Sequence, residues 1–332
     1  MDLTTRYLGL ELPCPIMVGA CPLTGSVEGV RACAEAGAGG VVLRSLFEEQ
    51  IRANSQDVAD ALSSETSWHT EAYEYMQAQI GIQYGTRDYL QLIRDCKREV
   101  DIPVIASINC VDAEWWLDFA REVEAAGADA IELNIAIMPM DFDSGSEQIE
   151  AKYAAVVRGA TEAVSVAVGV KVPPTFTALG KTVLDLRRAG AKGFVLFNRL
   201  YRPTISIHDM ALQVRDEDRY SHPLELNPSL RWISFFANRI DADFVGNTGV
   251  HSGEDVLRCL LAGASAVQCV STLMHNGVDH LRCMVRDLRT WMSQREFSSL
   301  EDFRGHLSQA ANPEAAQFGR LQYIEGLLGT EG

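Results

Sequence analysis

The triplet Ala-Gly-Ala followed by an apolar run occurs four times in this sequence: Ala36-Gly37-Ala38 before VVL, Ala126-Gly127-Ala128 before IEL, Ala189-Gly190-Ala191 before FVLF and Ala262-Gly263-Ala264 before VQCV. A glycine at a helix C-terminus permits the left-handed backbone there, and a short β-rich run bounded on both sides suits a strand covered on both faces. The chain therefore reads as repeated parallel βα units. Each run ends in polar residues: Arg44-Ser45, Asn134, Asn198-Arg199 and Ser271-Thr272. In a parallel barrel those strand ends build the active site.

The alternation continues along the chain. Strands are expected over 16–19, 40–44, 104–108, 130–135, 168–172, 193–197, 244–246 and 266–270. Helices are expected over 26–35, 87–99, 113–125, 147–164, 182–188, 229–239, 254–261 and 275–292. This is the arithmetic of the α/β class, a single (β/α)8 TIM barrel spanning 1–332, with a short hairpin in YLGLELPCP feeding the first strand. The G-x-G-x-x-G fingerprint of open dinucleotide-binding sheets is absent. Insertions over about 46–84 and 199–226 read as lid or binding loops, and the tail over about 298–326 as amphipathic helices packed outside the barrel.

Charge narrows the partners. With 29 basic against 45 acidic residues the formal net charge is -16, which disfavours nucleic acid and anionic membrane surfaces. No apolar stretch approaches the ~20 residues of a membrane span and the N-terminus lacks a signal pattern, so a soluble cytoplasmic protein is expected. The eight cysteines contain no CxxC pair, which leaves no zinc or iron–sulfur ligand set and casts them as small core residues.

Several strand-end residues carry chemistry. Lys171, in VGVKVPP, suits an anion or the electron-rich N1–C2 edge of a reduced flavin. Asn134 and Asn198 can each donate and accept, as the edge of a heterocycle requires. The loop Gly246-Asn247-Thr248-Gly249 after the seventh strand and Val270-Ser271 after the eighth match the common phosphate site of such barrels.

From TTRYLGLELPCPIMVGACPLTGS through VGVKVPPTF to LLAGASAVQCVSTLMHNG, the sequence resembles the dihydroorotate dehydrogenase family of FMN-dependent (β/α)8 barrels. The resemblance implies that Gly19, Ala20, Cys21, Ser45, Asn134, Lys171, Asn198, Thr248, Gly249, Val270 and Ser271 line FMN, and that the protein forms a homodimer. Arg44 stands where that family usually has a lysine, which keeps the charge and changes the geometry. The cytosolic enzymes of the family carry a proton-abstracting cysteine three residues after the fourth-strand asparagine, within a loop reading roughly N-x-S-C-P-N. Here the stretch is Asn134-Ile135-Ala136-Ile137-Met138-Pro139, so Ile137 takes the base position. Losing a positioned base typically costs ~100- to 10,000-fold in rate.

Acid/base candidates elsewhere are His69, Glu71, Tyr73, Tyr75, Cys110 and Asp141. Glu71 and Tyr75, one helical turn apart, join Arg44 as the catalytic set. The expected function is an FMN-dependent oxidoreductase acting on a CH–CH group of a small substrate, dihydroorotate or a related compound, and reoxidised by a soluble acceptor or an electron-transfer protein partner. Two other readings stay open. One is a flavin-binding accessory subunit without turnover; the other is a flavin-free isomerase or lyase for a phosphate ligand, which Lys171 and the phosphate loops would serve equally.

Overall fold

The computed structural model describes residues 1–48, 85–111, 116–137, 142–199, 204–213 and 220–312. Its strands run β1 (Thr5–Tyr7), β2 (Leu10–Leu12), β3 (Ile16–Val18), β4 (Gly40–Val42), β5 (Leu46–Phe47), β6 (Val104–Cys110), β7 (Ala130–Ile135), β8 (Ala167–Val172), β9 (Gly193–Leu196), β10 (Thr204–Ser206), β11 (Ala211–Gln213), β12 (Asp243–Gly246) and β13 (Ala266–Cys269). The helices are α1 (Val27–Glu35), α2 (Thr86–Glu99), α3 (Leu117–Ala125), α4 (Ser146–Ala163), α5 (Leu179–Arg188), α6 (Leu226–Phe236), α7 (Gly253–Ala262), α8 (Ser271–Asn276) and α9 (His280–Gln294).

The parallel strands close on themselves, because β13 pairs with β3 (Val267 with Ile16) while β4 pairs with both β3 and β6. A closed ring leaves no strand edge exposed. The glycines of all four Ala-Gly-Ala triplets are left-handed, with φ of 98° at Gly37, 101° at Gly127, 115° at Gly190 and 111° at Gly263. Both β4 and β5 lie on β6, Val41 opposite Val104 and Leu46 opposite Ile108. They are one barrel strand interrupted at Leu43–Ser45, and the interruption falls at the mouth.

The hairpin β1–β2 plugs the other end. Tyr7, Leu8 and Leu12 form a buried cluster with Met17, Val42, Ile105, Ala130, Val195, Val245 and Ala266. Side chains alternate along a strand, so these inward positions carry the inward register up to Gly19, Arg44, Ser107, Asn134, Lys171, Asn247 and Val270 at the mouth. The outward residues meet the helices in a second, larger core, where Phe194, Phe244 and Phe236 stack at 5.8 and 5.4 Å.

Three expectations need correction. The single helix over 275–292 is two: α8 starts directly after β13, and Gly277 (φ 80°) separates it from α9. The helix expected over 229–239 is α6, which begins at Leu226 behind a 3-10 turn (Pro223–Glu225) and ends before Asn238 (φ 62°). The tail over 298–312 is a 3-10 turn (Leu300–Asp302) and further turns rather than amphipathic helices, and residues 313–326 lie outside the described part. Of the two insertions, 49–84 lies outside the described residues; 199–226 contains the antiparallel hairpin β10–β11.

Candidate active site at the barrel mouth

The register of β7 and β8 places Asn134 opposite Lys171. Lys171 is 9% exposed, so its side chain stays within the mouth instead of reaching solvent past the rim. Asn198, just beyond β9, donates its side-chain amide to Asn134 Oδ1 at 2.7 Å. On the far side of the ring the backbone itself forms the wall: a Cβ at Gly19 would lie 3.0 Å from Val270 Cγ2 and 3.1 Å from Gln268 Oε1. Ala20 is half-buried beside it, and Cys21 is buried, with burial pushing its thiol up. Ser45 shares a 2.8 Å hydrogen bond with Ser107. Arg44 emerges from the break between β4 and β5 and packs its Cδ over Gly25, where a Cβ would sit 3.3 Å away.

The phosphate-type loops also come together. Thr248 (φ 62°) and Gly249 (φ 84°) bend the chain after β12, and a Cβ at Gly249 would lie 2.4 Å from the Leu226 nitrogen. Asn247 Nδ2 and Thr248 Oγ1 both donate to the Phe197 carbonyl, at 2.8 and 2.9 Å, tying this loop to the end of β9. Gly249 N–H donates to Ser221 Oγ at 3.1 Å, and Ser221 Oγ donates to Ser271 Oγ at 3.0 Å. His251 Nε2 lies 3.2 Å from the same Ser221 hydroxyl, and burial holds this imidazole below its usual pKa. The Gly249 N–H, the Ser271 hydroxyl and the His251 imidazole thus meet at the Ser221 hydroxyl, a polar cluster bonded within itself whose groups are of the kind that hold an anionic oxygen.

Ser221 and His251 were missed by sequence reasoning. Ser221 sits in a segment read only as an insertion, and nothing in its neighbours signals that the chain returns to the mouth there. His251 follows Gly249 by two residues in GNTGVH, so its proximity to the loop was a readable signal. A layer below the mouth the buried Glu132 accepts a 2.6 Å hydrogen bond from Gln268 Nε2 across the barrel.

The catalytic candidates fare differently. Glu71 and Tyr75, with His69, Tyr73 and Asp141, lie outside the described residues. Arg44 is at the mouth. Cys110 is buried among the outward-facing core residues at the end of β6, a correction to its place among the acid/base candidates. Ala136 and Ile137 follow β7, and Ile137 is half-buried against the core. Among the described residues no group of three His, Cys, Asp or Glu is placed to hold a metal ion, and no helix is long and apolar enough to cross a membrane.

A family model described as dihydroorotate dehydrogenase matches residues 73–292. The catalytic subunit of dihydroorotate dehydrogenase B (NAD(+)) from Thermoplasma acidophilum is 25% identical over 311 residues, covering 92% of this chain and 98% of its own. The NAD-dependent dihydropyrimidine dehydrogenase subunit PreA of Escherichia coli (strain K12) is 24% identical over 323 residues, 92% of this chain and 76% of that one. The chloroplastic dihydropyrimidine dehydrogenase (NADP(+)) of Arabidopsis thaliana is 22% identical over 329 residues, with shares of 93% and 77%.

Proposed function

We propose that this chain, which belongs to the dihydroorotate dehydrogenase family, is an FMN-dependent oxidoreductase acting on a CH–CH bond of a small substrate, dihydroorotate or a related dihydropyrimidine. The observation that carries this reading is the buried Lys171, set beside the Asn134–Asn198 amide pair in the same ring of strand ends as the Gly249–Ser221–Ser271 donor cluster. The residues fit a flavin mononucleotide. The wall at Gly19 is bare backbone that a side chain would crowd, which suits a flat ring, and the donor cluster suits its phosphate. Lys171 would face the pyrimidine edge, where an ammonium favours negative charge, and the two amides would hold the ring's polar edge.

FMN, when bound, supplies the hydride acceptor. The remaining work falls to this chain's own side chains. Arg44 offers a planar fork for a carboxylate or an imide edge at the rim, and orients the substrate through it. Proton removal needs a base on the opposite face, and Ile137, where the family places a cysteine, has no such atom. Glu71 with Tyr75 remains our candidate for that role. The relatives named as subunits support reoxidation by a partner protein, consistent with the lack of a second cofactor motif in this sequence.

A second reading, a flavin-binding accessory subunit, is favoured by one observation: Ala136, Ile137 and Pro139 together replace the family's serine, base and asparagine. Anaerobic titration of the purified protein with dihydroorotate, and separately with dihydrouracil, distinguishes the two. Bleaching of the flavin band by either supports the oxidoreductase, whereas a flavin that neither compound reduces favours the accessory role. A colourless protein that takes up no added FMN rejects both. Lys171→Ala is expected to weaken FMN retention.

A further inference from the structure

The barrel interior holds a carboxyl that the reaction described above does not use. Glu132 is fully buried, at 0% exposure, one layer beneath Asn134 on β7, and Gln268 on β13 is equally buried opposite it. Gln268 Nε2 donates to Glu132 Oε2 at 2.6 Å, a bond that spans the ring. The other oxygens of both side chains, Glu132 Oε1 and Gln268 Oε1, have no hydrogen-bond partner, and neither has the Tyr7 hydroxyl below. A carboxyl buried this way is costly unless a charge nearby compensates it. The cation acting on it is Lys171, which stands on the adjacent strand one layer above, Lys171 being paired with Asn134 and Gly169 with Glu132, and which makes no ion pair with it. Burial pushes the Glu132 carboxyl up, and the lysine's charge pulls it back down.

We propose that Glu132 is a positioning residue: clamped across the barrel by Gln268, it anchors the Lys171 ammonium at the mouth through its field rather than by an ion pair, and sets how much of that charge reaches an anionic ring seated there. The groups facing it are Lys171 from β8, Gln268 from β13 and Tyr7 from the plug. Tyr7 and Gln268 carry no charge, so the lysine is the partner whose removal Glu132 should feel. The anchoring half stands without any cofactor; the second half rests on the FMN reading.

Two measurements separate those halves. The first is a double-mutant cycle of Glu132→Gln and Lys171→Gln on the unfolding equilibrium of the FMN-free chain. Coupling of about tenfold is expected, as for two charges that act on each other across a buried gap without contact. A Glu132→Gln chain that fails to fold but is rescued by adding Lys171→Gln also supports the anchor. Additive effects, or no rescue, overturn it. The second is the redox titration of the FMN-loaded Glu132→Gln variant. Relieved of its counter-charge, the lysine should favour reduced over oxidised flavin about tenfold more than before, a rise of about 30 mV for a two-electron couple. An unchanged potential overturns the tuning half. Coupling in a chain that binds no FMN leaves the anchor standing and sinks the flavin reading alone.

Discussion

At the residue scale the site is defined by what its side chains can and cannot do. Lys171 and the amide pair Asn134–Asn198 can hold a charged heterocycle, while Ile137 has no atom able to accept a proton. If only the base is missing, Ile137→Cys should restore dihydroorotate oxidation to a measurable rate, because a positioned base is worth ~100- to 10,000-fold. Stopped-flow flavin reduction checks this. Continued inactivity in a folded, flavin-loaded variant would show that Ala136 and Pro139 have remodelled the pocket as well. The burial of Cys110 sharpens the point: the thiol near that loop is in the strand–helix core, so it does not stand in for the lost base.

At the scale of elements, the sequence was most readable where local chemistry and global fold agree. The four Ala-Gly-Ala triplets each end a helix in the left-handed conformation and start a buried strand. The mouth residues followed directly, since period-2 alternation from the strand ends fixes which side chains face inward. Where the reading failed, tertiary context decided. The apolar pattern of 275–292 continues across Gly277, so periodicity gave no sign that the chain turns there. Ser221 reaches the mouth only because the segment before α6 folds back on the Gly249 loop, which its own residues do not encode. That loop leads into α7, where Ser252 Oγ accepts from Asp255 N–H and Asp255 Oδ2 accepts from the backbone N–H groups of His251 and Ser252. Ser252→Ala should therefore cost about 1 kcal/mol of stability, the usual worth of an N-cap hydroxyl. Urea denaturation of the FMN-free chain measures it. A change below the error of the midpoint would mean that Asp255 alone holds the cap.

At the scale of the whole molecule, a charge of -16 accompanies two acids inside the barrel, one fully buried and one half-buried. Fully buried Glu132 lies beneath the mouth and half-buried Asp243 at the floor, where it accepts from Leu8 N–H and Ser265 Oγ; desolvation raises both carboxyls. A carboxyl whose folded pKa is raised makes the folded state the stronger proton binder. Its stabilisation is complete below the ordinary carboxylate value of about 4 and is lost as pH rises through the folded value. Surface repulsion among the excess acidic groups acts in the same direction, since it also grows as carboxylates ionise. Half-buried His251 opposes both, its lowered pKa adding stability as pH climbs from the folded value up to about 6.5, where the gain is complete. Salt separates these contributions, because ions screen exposed charges far more than buried ones. Unfolding midpoints in urea, measured from mildly acidic to neutral pH at low and at high salt, should fall with pH in both series and less steeply in the second. The fall that survives high salt belongs to the interior, and Asp243→Asn combined with Glu132→Gln should flatten it. If the double variant keeps the slope of the parent at high salt, the interior carboxyls are not what the molecule loses stability to on ionising.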